Sequence, residues 1–294
     1  MRHRTLASVS LGLLFAFQTW TIQDAAAQIP NAEPGGAQPA VVDRAYAVDA
    51  PALTGIKIDG DLSDWPAAMP RYSLRTLLPS DNNYGQGGLD KLDLTTNGDL
   101  SACFSVGYDP KEQVILLAII VRDDALIVGH KSAFDTDAVE IFIDGLRSEK
   151  TIPLPGGDWE EVLKAEQMAA LQYVGAPGPG PIYKTKSDLS VVLKYGDITK
   201  TKTKMAFSRK GDVTIYEWAV QPFDSYPDKP TKLEPGKRVG FDLVVVDKDV
   251  PTPEGGGVER EADRPVWLCW GFSPRGFKGF NADNLGELVL SETP

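Results

Sequence analysis

The sequence predicts an all-β protein, a jelly-roll-like β sandwich with one inserted helix. Three observations carry this. Short segments rich in Val, Ile, Tyr, Phe and Trp recur from residue 101 onward. Gly or Pro stands between most of them. A single stretch, 158–173, is built from helix formers instead. Many short strands with turn residues between them bury one face each against a second sheet.

Residues 1–27 read as an export signal. Arg2 and Arg4 precede an apolar stretch from Leu6 to Phe17, and Ala25-Ala26-Ala27 offers small residues for cleavage before Gln28. The apolar stretch has 12 residues, short of the ~18 to 20 that span a bilayer. The expected location is therefore secreted or periplasmic, with no membrane insertion after signal cleavage. Residues 28–45 are rich in Pro, Gly and Ala and read as a linker. Residues 46–294 read as one sandwich domain, with 151–187 an insertion that carries the helix.

Within that domain, 101–108 and 114–121 flank the turn Asp109-Pro110-Lys111-Glu112 and form a hairpin. Ala138–Asp144 alternates: Val139, Ile141 and Ile143 share one face, and Glu140, Phe142 and Asp144 the other. Strands follow at 189–195, 213–220, 239–246, 266–270 and 286–290. For the helix at 158–173, Asp158 serves as N-cap, with Glu161 three residues on. Trp218 reads as core. Trp65 reads as closing one end of the sandwich. Trp267 and Trp270, three apart in a strand, point to opposite faces, and Trp270 is taken as the one outside the core.

Composition narrows the function. The 294 residues carry a formal charge of −11. That disfavours nucleic acid, whose phosphates need clustered Lys and Arg. Signal cleavage leaves His130 as the only histidine, too few for a multi-histidine zinc site. Cys103 and Cys269 are isolated, which excludes a Cys-x-x-Cys redox site. They either close one long disulfide loop or remain two buried thiols. No Gly-x-Ser-x-Gly elbow is present.

Four features then occur in order. They are Ile58-Asp59-Gly60-Asp61-Leu62-Ser63-Asp64-Trp65; Tyr108-Asp109 with the apolar 114–121 and Arg122-Asp123-Asp124; Asp137-Ala138-Val139-Glu140-Ile141-Phe142-Ile143-Asp144; and Tyr216-Glu217-Trp218-Ala219-Val220, with Gly240-Phe241-Asp242 and Gly286-Glu287-Leu288. From about residue 54 to 290 this order resembles a family 9 carbohydrate-binding module, within the wider group of sandwiches that includes DOMON domains. The resemblance implies a jelly-roll sandwich that binds sugars, two aromatic rings clamping a sugar and polar groups fixing its hydroxyls, with bound calcium common. Carried over, the first ring is Phe134, the acid six residues later is Glu140, and the second ring is Phe277 or Phe280. Phenylalanine stands where the family usually has tryptophan.

This chemistry suits a sugar, whose C–H faces stack on aromatic planes and whose hydroxyl rim meets carboxylates and amides. The expected ligand-binding set is Phe134, Asp137, Glu140, Trp270, Arg275 and Phe280. For calcium, a hard cation needing oxygen ligands, Asp59, Asp61 and Asp64 are the first candidates. Asp123/Asp124, Asp135/Asp137 and Asp247/Asp249 are further oxygen-rich clusters.

The leading expectation is a non-catalytic carbohydrate-binding protein, working beside a separate glycoside hydrolase in polysaccharide breakdown. One alternative is a structural or protein-interaction sandwich without sugar binding. A second is a glycoside hydrolase, but Glu140 and Asp144 would stand ~13 Å apart along a strand, wider than the ~5 to 9.5 Å such chemistry uses. A third is a haem-binding DOMON-type module with His130 and Met69, Met168 or Met205 as axial ligands.

Overall fold

The computed structural model describes residues 47–74, 76–79, 100–128, 136–152, 164–178, 189–249, 266–271 and 282–292. They form a β sandwich. The smaller sheet contains β2 (Tyr72–Ser73), β4 (Ser101–Asp109), β5 (Val114–Arg122), β9 (Lys204–Lys210) and β10 (Val213–Val220), in the order β2-β4-β5-β10-β9. The larger sheet runs β1 (Ala47–Pro51), β15 (Gly286–Ser291), β13 (Arg238–Asp247), β6 (Ala138–Asp144), β7 (Leu171–Pro177), β8 (Leu189–Leu193). Strand β14 (Val266–Cys269) pairs with β13 and with β3 (Thr76–Pro79). A separate ribbon joins β11 (Phe223–Ser225) to β12 (Lys229–Pro230).

Strand parity fixes the core. Val139, Ile141 and Ile143 of β6 and Val239, Phe241, Leu243 and Val245 of β13 face Phe104, Val106, Ile115, Leu117, Ile119 and Trp218 of the smaller sheet. Trp218 is thus core, as the sequence indicates. The long run Val114–Arg122 is apolar at nearly every position because its other face is covered too. Leu116, Ala118 and Ile120 pack outward with Leu53, Leu62 and Trp65. The segment around 53–69 is a lid on the smaller sheet, so Trp65 covers that sheet's outer face instead of closing an end.

Two expectations are corrected here. The helix placed at 158–173 does not extend through its described part. Residues 165–167 make one 3₁₀ turn, and Leu171, Gln172 and Tyr173 begin β7. Among the described residues, helical structure is limited to such three-residue turns. β7 pairs with β6 on one side and β8 on the other, so this part of 151–187 belongs to the sheet. The helix-forming composition yields to packing: Leu171 and Tyr173 alternate into the core, while Val174 packs outward. Trp270 is the second correction. It is buried between the sheets, its ring 5.5 Å from Phe104 and from Phe241, and Trp267 takes the outer face.

Both cysteines are buried, and no disulfide joins them. Cys103 belongs to the outer face of the smaller sheet and Cys269 to that of the larger. The whole sandwich lies between them, which excludes a disulfide. Burial pushes the Cys103 thiol up to about 11, so it is no nucleophile at neutral pH.

Candidate functional site

Glu140 falls on the outer face of the larger sheet, which is itself covered: its apolar residues form a second buried cluster with Ala169, Ala170, Ala282 and Leu285. β6 places Glu140 there by alternation, and register gives its neighbours. Glu140 pairs with Val244 of β13 and Val174 of β7, and Val174 in turn pairs with Val192 of β8. One row over, Phe142 pairs with Asp242 and with Gln172. Val246 pairs with Trp267. The result is a largely apolar face holding a few polar groups.

The central polar pair is Glu140 and Gln172. The Gln172 side-chain Nε2 donates to Glu140 Oε2 at 2.8 Å. Both residues are buried, at 1% and 2% exposure. With its amide turned toward the carboxylate, Gln172 has its Oε1 left over; this atom is buried and accepts no hydrogen bond among the described residues. A buried acceptor without a donor costs ~1 to 3 kcal/mol, and such atoms are uncommon. The pair thus leaves one buried carbonyl oxygen, Gln172 Oε1, as a spare acceptor. Sequence reading missed Gln172 because it lay inside the expected helix; period-two alternation of Leu171, Tyr173 against Gln172, Val174 was the available signal.

At the β8 end of the larger sheet lies a hollow of about 350 Å³, lined by Val174, Val192, Lys194, Tyr195, Asp197 and Ile198. Its volume falls within the ~300 to 1,000 Å³ of small-molecule sites. At the opposite end of this face, Arg238 and Arg147 hold Glu287 in ion pairs of 2.9 and 2.7 Å. Asp242 accepts the backbone N–H of Gly271 at 2.8 Å, in contact so close that a Cβ on Gly271 would stand 2.6 Å from its Oδ2.

Phe134, Arg275, Phe277, Phe280, His130 and Asp135 lie outside the described residues. Trp270 is in the core, as above. Asp137 does not join Glu140. Three residues apart, they take opposite faces, and the Asp137 carboxylate accepts the backbone N–H groups of Ile127 at 2.5 Å and Lys248 at 2.9 Å. Asp59, Asp61 and Asp64 serve the lid: Asp59 accepts from the backbone of Asp61, Asp61 from Ser63, and Asp64 from Lys57.

Instead, three of the other acidic clusters converge. Asp123 at the end of β5, Asp137 before β6 and Asp247 at the end of β13 bring carboxylate oxygens within 4.8 Å of one another, all buried. Asp124 and Asp249 form a second, more exposed group with Asp123. Arg209 lies 3.6 Å from Asp123. Burial above all, with Asp123 nearby, pushes the Asp137 carboxyl up to about 7. Buried carboxylates this close together favour a proton or a cation between them. This all-oxygen donor set fits a hard cation such as calcium, and better than Asp59, Asp61 and Asp64 do.

The fold defines a class: a two-sheet β sandwich. The chain is similar in structure to a family 9 carbohydrate-binding module from Caldicellulosiruptor kristjanssonii solved in complex with cellotriose. The TM-score is 0.53 at 14% identity, over 84% of this chain and 95% of that one. It is likewise similar to a family 9 module from the same organism in complex with glucose, with a TM-score of 0.53 at 15% identity, over 84% and 97% of the chains. At these identities the likeness is one of fold. No protein-family model matches the chain, and no curated protein matches it.

Proposed function

We propose that the protein is an exported, non-catalytic carbohydrate-binding protein whose site is the outer face of the larger sheet, with Glu140 and Gln172 at its base. The observation that carries this is the buried Gln172 Oε1, an acceptor with no donor among the described residues, beside a carboxylate that Gln172 itself holds in place. A sugar presents adjacent hydroxyls, each able to donate one hydrogen bond and accept another. One hydroxyl donates to Gln172 Oε1 and a neighbouring one to Glu140. In a site this dry, such bonds, above all to a carboxylate, are strong. Phe142, Val174 and Val244 pack around the pair and keep it dry.

The fold supports the reading, because structurally similar modules are seen with glucose and cellotriose. The charge of −11 favours neutral glycans over anionic ones. Calcium, where it binds, belongs at Asp123, Asp137 and Asp247, and it would neutralise buried charge and tie β5 to β6 and β13 without touching the sugar.

The test is calorimetric titration of the purified protein with glucose, cellotriose and a panel of neutral oligosaccharides, with calcium and with chelator. Binding that Glu140→Gln weakens supports the reading; a wild-type protein that retains no glycan at any concentration removes it and favours an interaction sandwich. Export is tested by the N-terminal sequence of the secreted protein, which is expected to start at Gln28.

A further inference from the structure

We infer that the free edge of β9 is a docking site for an acidic strand of another polypeptide, which adds itself to the smaller sheet by main-chain pairing. This is independent of the sugar reading, because it concerns the sheet opposite the one that carries Glu140.

The edge is open. β9 pairs with β10 on one side and ends the sheet on the other. Among the described residues, no backbone hydrogen bond joins 204–210 to any strand but β10. Such an edge presents a row of N–H and C=O groups at strand spacing, the template on which an extended peptide is added to a sheet.

The edge is also basic in an acidic protein. The chain carries −11 overall, yet between Asp197 and Asp212 it holds Lys200, Lys202, Lys204, Arg209 and Lys210 and no acid. Arg209 is turned to Asp123. The four lysines are exposed, and among the described residues none of them forms an ion pair with a carboxylate. Register sets Lys204 and Lys210 on the outer face, opposite Ala219 and Val213 of β10. Phe207, opposite Tyr216, takes the core side. Its half-buried ring lies 6.4 Å from the Tyr216 ring. In the middle of the strand the lid intervenes: Ser208 Oγ donates to the Gly60 carbonyl at 2.7 Å, and the neighbouring Asp59 and Asp61 are exposed. The edge therefore reads a pattern. Carboxylates suit the two ends of the partner strand, opposite Lys204 and Lys210 and roughly 20 Å apart. Small polar residues suit its middle on that face, and an apolar residue on the other face meets Phe207.

Lysines on an edge also keep it from pairing with its own kind. Two copies of β9 meeting antiparallel about Phe207 would set Lys204 against Lys210 twice, and like charges directly opposite are destabilising. A strand with glutamates at those places turns both repulsions into attractions. The same side chains thus exclude a second copy and admit an acidic partner.

The test is fluorescence anisotropy of labelled acetyl-Glu-Val-Thr-Val-Thr-Val-Glu-amide with the full chain. Wild type should bind it saturably at one peptide per chain, with slowed amide hydrogen exchange over 204–210. The double variant Lys204→Glu/Lys210→Glu should bind at least roughly tenfold more weakly and should instead take the peptide with Lys in place of Glu. On wild type, the peptide with Gln in place of Glu should lose a similar factor. Of two peptides N-methylated at alternate residues, one should lose binding, because only one set of N–H groups faces β9. Melting temperature checks the double variant; if it does not fold, the Gln and N-methylated peptides decide the matter on wild type. No binding of the acidic peptide overturns the inference. Binding kept by both N-methylated peptides, or polygalacturonate held as tightly as the acidic peptide, shows attraction of any polyanion and also overturns it. Dimers in sedimentation that Lys204→Glu/Lys210→Glu abolishes give the edge to a second copy and overturn it too. None of these outcomes bears on sugar binding, which the titrations above measure separately.

Discussion

The carboxylate of Glu217 accepts the indole N–H of Trp65 at 2.7 Å. Its other oxygen accepts the backbone N–H groups of Asp59 and Gly60, at 3.0 and 2.6 Å. One buried side chain on β10 thus fastens the acidic 58–65 motif to the outer face of the smaller sheet. This explains why a glutamate sits in an otherwise apolar strand, fully buried. Removing it by Glu217→Ala strands three donors and should lower the free energy of unfolding by about 3 kcal/mol, against about 1 kcal/mol for Trp65→Phe, which removes one of them. Denaturant titration of both variants measures the difference.

A second prediction concerns pH in the absence of metal. Burial raises the Asp137 carboxyl to about 7 from an ordinary 3.8. The folded protein therefore binds more protons than the unfolded chain between those values. Stability from this group is full below about pH 4, falls as pH rises toward 7, and is level above it. Melting in chelator across pH 4 to 8 should show this loss. Excess calcium should raise the melting temperature at pH 8, and Asp247→Asn should reduce that rise. An identical melting temperature with and without calcium at pH 8 would contradict calcium binding at this cluster.

Close packing at β7 gives a third. A Cβ on Gly175 would stand 2.3 Å from Trp218 Cζ2 and 2.4 Å from Met205 Sδ, so β7 can lie over the Trp218 ring only with glycine there. Gly175→Ala should destabilise by about 1 to 3 kcal/mol, the usual range for overpacking, and near-ultraviolet dichroism should report the displaced tryptophan.

These residues also show what could be read from sequence and what could not. Ala138–Asp144 and Val213–Val220 were legible because alternation and turn residues agree with the final packing. β7 was not. Its approach is rich in helix formers, and Gly175 reads as a breaker; its real reason is a tryptophan on the opposite sheet, which no local pattern contains. The choice between Trp267 and Trp270 failed the same way. Parity separates them, but only the position of Phe104 and Phe241 says which one faces inward. At the site, Glu140 was legible from its parity on β6. Gln172 was hidden with β7, and the meeting of Asp123, Asp137 and Asp247 depends on three strand ends that only the sheet order brings together.

Gln172 supplies a fourth prediction. Gln172→Leu removes the N–H that holds Glu140 Oε2 and the acceptor offered to ligand. Stability should change little or fall by about 1 to 3 kcal/mol, as the buried carboxylate loses a donor, while sugar affinity should fall at least tenfold. Gln172→Glu should be worse for both, because two buried carboxylates then meet. Parallel melting and titration measurements separate the two effects.

The most direct measurement is calorimetric titration of wild type and Glu140→Gln with cellotriose at neutral pH. The expected result is saturable binding at one molecule per chain for wild type and at least tenfold weaker binding for the variant, with the fold unchanged by circular dichroism. Equal affinity in the two proteins would contradict a sugar site built on Glu140.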